Sequence, residues 1–396
     1  MNLRPLGTAA LTSALLWGCS SSPSESGGGF EGETISFAGK VRFHGTALAR
    51  AAVTFVDPHG TTGIVSGSTD DSGTFHLRVP ATASGRLEVR AADTALYRGY
   101  VDGVPDSTLP LEALAARDWK ARAVLGGAAV SGAWIRALGS RDSVSTSADG
   151  SFTLLRSTTG REWVQLRLPD GTGRDLVLPP LTDSVLTVPD HPVLLVDDFE
   201  QGTSRAALGD ALGWGWWYAN DDSSAGGSSK VLPVGALQDI RAALSSADAF
   251  AGTSLSLDFQ IDASQSVHFA QAGIVLVDTT RGWWMDLSKV DSITLMLKGS
   301  GNVRLQLVTR TNVEPTYDPA GMWGCDIALP SAWSRVVVRK SDIAIAAGSR
   351  PATQGIPWST DGKHGVFLVL VATSAATFEV DDIQFHGPRL SELLVR

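Results

Sequence analysis

The chain has 396 residues, 43% hydrophobic and 18% charged, with a net charge of −9. That length makes room for about two to three domains, and the composition excludes general disorder. The acidic balance excludes a basic footprint for nucleic acid.

Met1–Pro5 carries one Arg, Leu6–Trp17 is largely apolar, and Gly18-Cys19 follows. This is the pattern of a secretory signal, and the apolar run is too short to span a bilayer. Leu16-Trp17-Gly18-Cys19 resembles the bacterial lipobox, with a bulky Trp where a smaller residue is usual. The resemblance implies cleavage before Cys19 and diacylglycerol on its sulfur. With Ser20 next, it also implies sorting to the outer membrane and cell surface. An ordinary signal peptide with a chance Cys is the alternative. Residues 1–18 are thus read as a lipoprotein signal and 19–33, rich in Ser and Gly, as a tether. With Cys19 acylated, Cys325 has no disulfide partner and reads as a small buried residue.

Residues 34–112 read as short strands with turn signals, and residues 117–188 repeat them. Phe75, Leu77 and Val79 alternate after the turn Asp70-Asp71-Ser72-Gly73; Phe152 and Leu154 alternate after Asp149-Gly150. A shift of 77 residues superposes Gly73 on Gly150, Phe75 on Phe152, Leu87 on Val164 and Val89 on Leu166. An in-register repeat predicts two copies of one small β-sandwich, with 113–118 as a brief connector. The "Asp, any, Gly, any, Phe" turn resembles the carboxypeptidase regulatory-like and immunoglobulin-like modules of bacterial surface proteins.

Beyond Pro189 and Pro192, residues 193–387 read as one larger domain, with 388–396 as a tail. Strands are expected at 193–199, 255–261, 273–277, 335–339, 366–371 and 377–385, and one short helix at 238–247. Ile293, Leu295 and Leu297, then Gly299–Asn302, then Val303, Leu305 and Leu307 read as a hairpin. Val366–Val371 is apolar on both faces and predicts a central strand covered on both sides. The expected fold class is all-β: two small β-sandwich repeats, then a jelly-roll β-sandwich.

Val196-Asp197-Asp198-Phe199-Glu200 opens this domain and Val380-Asp381-Asp382-Ile383 closes it, with Asp291-Ser292-Ile293-Thr294 and Lys298–Gly301 between. The ordered set resembles galactose-binding-like jelly rolls, notably family-11 carbohydrate-binding modules and the complex I intermediate-associated protein domain. The first resemblance implies polysaccharide of β-glucan type as ligand. The second implies an envelope protein as partner, with the chain serving in structure or assembly.

Two clusters carry candidate chemistry. Eight of the twelve Trp follow Pro192, many beside loops. Flat rings stack on the C–H faces of sugars, and covering a third of one gives roughly 1–2 kcal/mol. Trp217, Tyr218, Arg310, Tyr317 and Trp323 are the expected carbohydrate-binding residues, the aromatics stacking and Arg310 reaching hydroxyls. For any single Trp, a core position is the competing reading. The second cluster is acidic. The apolar phase of the last strand slips at Asp381-Asp382, which predicts a bulge. The jelly-roll resemblance implies a structural Ca²⁺ held by Asp198, Glu200 and Asp382, of the kind hard oxygen donors favour; solvated or Lys/Arg-paired carboxylates are the alternative.

Motifs for zinc proteases, serine hydrolases, phosphate loops and zinc clusters are absent, and the seven His are scattered. A glycosidase pair of carboxylates leaves no sequence signature of its own. Every segment nevertheless matches a module type that binds, so a non-catalytic protein is expected.

Overall fold

The computed structural model describes residues 34–395, apart from 57–63, 81–84, 93, 102–107, 141, 182–183, 236–238, 280–281, 315–321 and 347–355. The chain is all-β and divides into two compact units, one ending at Val193 and the other beginning at Leu194.

In the first unit the strands are β1 (Thr34–Phe43), β2 (Ala52–Val56), β3 (Ile64–Ser68), β4 (Thr74–Pro80), β5 (Gly85–Ala91), β6 (Ala95–Val101) and β7 (Leu109–Leu125). They continue as β8 (Trp134–Ala137), β9 (Ser143–Ser145), β10 (Ser151–Ser157), β11 (Glu162–Arg167), β12 (Gly173–Leu178) and β13 (Val185–Val188). The 77-residue repeat appears as matched pairs: β4 with β10, and β5 with β11. Each half has its own apolar core, centred on an edge-on aromatic pair. Phe37 and Phe75 lie 5.5 Å apart, Trp119 and Phe152 5.2 Å. Gly73 and Gly150 have φ near 78° and 83° at equivalent turns, a conformation that side chains disfavour.

The connector expected at 113–118 is not a connector. These residues lie inside β7, which runs unbroken for 17 residues. It pairs with β1 and β6 in the first half and with β10 and β13 in the second. Its exposed and buried residues largely alternate throughout, so nothing in its backbone preference calls for a break.

The second unit is a two-layer sandwich. Its strands are β14 (Val193–Asp197), β15 (Trp216–Asp221), β16 (Lys230–Leu232), β17 (Ser254–Gln260), β18 (Ala270–Val275), β19 (Ser292–Ser300), β20 (Asn302–Thr309), β21 (Trp323–Ala328), β22 (Ser334–Arg339), β23 (Gly365–Ala372) and β24 (Ala376–His386). One sheet has the order β16-β17-β24-β19-β22, with β14 also paired to β24, so the opening and final strands lie side by side. The other has the order β15-β18-β23-β20-β21. Leu257, Phe259, Phe378 and Leu297 from the first sheet and Ile274, Leu368, Leu370 and Leu305 from the second are buried. Every residue of β23 is buried, as its unbroken apolar run predicts.

The expected hairpin around Gly299–Asn302 is not formed. β19 pairs with β24 and β22 in one sheet, while β20 pairs with β23 and β21 in the other. The turn at Gly301, φ 92°, crosses between the layers. A second crossing joins β21 to β22 and is tied to the first by Gly299 N–H donating to Pro330 O at 2.7 Å and Leu329 N–H donating to Gly301 O at 3.0 Å. A hairpin and a crossing show the same period-two pattern in one dimension, because each strand has one buried face in either case. The helix expected at 238–247 shrinks to a 3₁₀ turn, Ile240–Ala243. Among the described residues the longest helix is instead α1 (Ala207–Leu212), closed by Gly213 at φ 83°. The expected bulge is present: register shifts where Thr294 faces Gln384 and Met296 faces Asp381, and Asp382 adopts φ 45°.

Candidate functional site

The β15 strand begins Trp-Trp-Tyr, and period two sends its side chains alternately in and out. Trp217 points inward and is only 5% exposed. Its Nε1–H donates to Asp197 Oδ2 at 2.6 Å, and its ring lies 5.2 Å from that of Phe199. Asp197 also accepts backbone N–H bonds from Asp198, Phe199 and Ala207. Trp217 is therefore a core residue held at the start of the fold, and the stacking role expected for it fails on burial. Trp216 and Tyr218 point the other way; Trp216 is 42% exposed and Tyr218 is half-buried.

Registers across the sheet show what lies on that outer face. Trp216 faces Val275, which faces Phe367, which faces Val308. One step along, Tyr218 faces Gly273, then Val369, Gln306 and Gly324. The next step runs Asn220, Gln271, Val371, Arg304 and Asp326. An apolar row and a polar row thus flank a middle row bare of side chains at two of its five positions. Five strands at about 4.8 Å spacing make this trough roughly 19 Å long, running across the strands. Tyr218 leans along it: a Cβ on Gly273 would stand 3.0 Å from the phenol oxygen, and the ring meets Phe367 edge-on at 5.9 Å. Burial pushes the phenol well above its ordinary value, so it stays a neutral donor. Gln271 is only 2% exposed. Arg304 is fixed at the far end by Asp326 at 3.0 Å and by Ala344 O at 2.6 Å.

Of the other expected residues, Arg310 and Trp323 lie near one end of this sheet. Arg310 opens the short helix α2 (Arg310–Val313), with its guanidinium 5.2 Å from the centre of the Trp284 ring and an ion pair to Glu314 at 2.8 Å. Trp323 is half-buried, 5.5 Å from Trp358, and its Nε1–H donates to Asp361 at 2.8 Å. Asp361 closes the helix α3 (Trp358–Asp361), is 3% exposed, and also accepts from the Thr309 and Thr311 hydroxyls at 2.9 and 3.0 Å. Tyr317 and Cys19 lie outside the described residues. Tyr218 therefore shares one sheet with Trp323 but sits at the opposite side of it, on β15, and Arg310 lies in α2 just beyond the end of β20. Sequence reasoning did not select Asn220, Gln271, Arg304 and Gln306. The available signal was a polar residue placed every second position in otherwise apolar strands.

The acidic set lies where the opening and final strands of the second unit meet. Glu200 accepts from Thr253 N–H at 2.7 Å, and Asp382 accepts from the Gln384 amide at 2.7 Å. Asp381, 1% exposed, accepts from Ala251 N–H at 3.1 Å. Burial, with the charges of Asp198 and Asp382 close by, lifts its carboxyl to about 7. Among the described residues no group of three or more His, Cys, Asp or Glu is placed to hold a metal ion. Asp198, Glu200 and Asp382 each accept a local hydrogen bond, Asp198 from the Glu200 N–H at 3.4 Å. Cys325 is half-buried, and burial raises its thiol. Among the described residues no helix is long and apolar enough to cross a membrane.

No family model matches the chain, and no curated protein matches it. Among solved structures, it is similar to the family 11 carbohydrate-binding module of a cellulosomal cellulase of Clostridium thermocellum. The identity is 15%, over 50% of this chain and 96% of that one, with a TM-score of 0.34. A structure of the family 11 module from the same organism, in complex with a β-1,3-1,4-mixed-linked tetrasaccharide, matches at 15% identity over 49% and 95%, TM-score 0.30. The shaft pilin SpaA of Lactobacillus rhamnosus GG matches at 10% identity over 40% and 98%, TM-score 0.17. Likeness of this degree assigns no family.

Proposed function

We propose that the outer face of the sheet β15-β18-β23-β20-β21 binds a neutral polysaccharide of β-glucan type, and that the protein acts without catalysis. The observation that carries this reading is the outer face at its β15 edge, where Trp216 and Tyr218 stand beside a row lacking side chains at Gly273 and Gly324. Tyr218 offers a ring and a neutral hydroxyl, and Trp216 offers an exposed ring. Gln306, half-buried in the row of Tyr218, is a donor–acceptor group suited to a sugar hydroxyl, while Asn220 and Gln271 are buried beneath the trough. Arg304 is already paired with Asp326, which removes the charge an anionic glycan would need there. Within this proposal the chain is exported and lipid-anchored through Cys19 at the outer membrane or cell surface; support comes from the lipobox-like Leu16–Cys19. Affinity electrophoresis through soluble β-glucans, xylans and mannans tests the binding. Retardation on a β-glucan is expected, and free migration of the folded protein through all three overturns it. The mass of the mature N-terminus tests the anchor.

A further inference from the structure

We infer that the two sandwich repeats form one rigid strut that opens as a single unit, rather than two modules on a hinge. Three independent ties join them. The first is β7, whose 17 residues belong to both halves and extend about 55 Å at roughly 3.3 Å per residue. A hinge between the repeats would have to break this strand where it is paired on both sides: Ala116 N–H donates to Thr94 O at 2.9 Å, and Thr158 N–H donates to Ala115 O at 2.8 Å.

The second tie is apolar. Leu96 of the first repeat, Ala116 of the shared strand and Leu155 of the second form a small buried cluster of their own.

The third is a buried chain of charges. Arg98 Nε donates to Glu88 Oε2 at 2.6 Å within the first repeat. Its Nη1 crosses to Glu162 at 3.3 Å and to Leu155 O at 3.2 Å in the second. Glu162 in turn meets Arg156 Nε at 3.4 Å, and Arg156 donates to Pro179 O at 2.6 Å. These side chains are 2–9% exposed. Separating the repeats would break the Arg98 bonds to Glu162 and Leu155 O and divide one buried network into two smaller pairs, Arg98–Glu88 and Arg156–Glu162. Arg86 and Arg90 add bonds from the first repeat to Leu138 O and Asp142 of the second.

The strand sharing does not recur at the end of the second repeat. After β13 the chain meets Pro189 and Pro192, which cannot donate to a ladder. Arg174 instead holds the carbonyls of Pro189 and Asp190 at 2.9 and 2.6 Å. The strut is therefore bounded at 34–188, independently of what the second unit binds.

Hydrogen exchange on the full-length protein through low denaturant tests this. The slowest amides of β2 and β5 are expected to share one opening curve with those of β8 and β11. Glu162→Gln is expected to speed exchange in both repeats, by roughly 100- to 1,000-fold, because it removes the carboxylate that Arg98 and Arg156 share, leaving Arg98 with Glu88 alone and taking from Arg156 the carboxylate it meets at 3.4 Å. Two separate curves in the wild-type protein, or acceleration confined to residues 134–178, would overturn the inference. The wild-type measurement decides the matter even where the variant fails to fold.

Discussion

Replacing Tyr218 with Ala isolates the binding face from the fold. The ring stands on the outer side of the sheet, half-buried, in edge-on contact with Phe367 at 5.9 Å. A large aromatic has about 150–250 Å² of surface. Covering a third of it with a sugar, at about 25 cal/mol per Å², gives roughly 1–2 kcal/mol. Tyr218→Ala should therefore weaken β-glucan binding by about 5- to 30-fold in titration calorimetry. The variant loses an edge-on contact on the face away from the inter-sheet core, worth about 1 kcal/mol, so its urea midpoint should move little. Trp333 provides the control. Its indole N–H donates to Asp248 O at 2.8 Å beside β22, in the other sheet, so Trp333→Phe should leave affinity unchanged. An unaltered affinity in folded Tyr218→Ala, or equal losses in both variants, would refute the placement of the site.

Gly273→Val should block the trough, because even a Cβ there stands 2.9 Å from Leu368 O and 3.0 Å from the Tyr218 hydroxyl. Loss of glucan retardation is the expected result, with a cooperative melt at a lower midpoint because the backbone at Leu368 must give way. Asp361→Ala removes the acceptor of the Trp323 indole and of the Thr309 and Thr311 hydroxyls, which keep their bond to each other, and should cost about 1–3 kcal/mol in urea unfolding. The pH dependence follows from Asp381, whose folded value of about 7 lies above its unfolded one. Its protonation contributes stability fully present below about pH 4 and lost as pH rises through about 7. Asp381→Asn should flatten that fall, at the expense of one of the two backbone N–H bonds, from Ala251 and Asp382, that the carboxylate accepts; parallel pH curves for the two proteins would exclude the titration. Calcium and chelator should leave the melting midpoint alike, and a clear rise with calcium would return Asp198, Glu200 and Asp382 to the role of ligands.

Much of the architecture is legible in one dimension because it depends on local alternation. The 77-residue repeat, the all-β class, the doubly buried Val366–Val371 run and the bulge at Asp381-Asp382 all follow from which neighbours share a face. Those patterns do not say which strand pairs with which. The stretch from Ile293 to Leu307 reads the same as a hairpin or as a crossing between sheets. The outcome is settled by β24 and β23 bonding to its two arms from far along the chain. Likewise, period two separates Trp217 from Trp216 and Tyr218 but cannot tell which set faces the core; Asp197, waiting to accept the indole N–H, decides it. The trough itself arises only when five strands come into register, since Gly273 and Gly324 lie 51 residues apart and meet in one row through Val369 and Gln306. Alternation is a property of adjacent residues, whereas register is set by hydrogen bonds between distant ones.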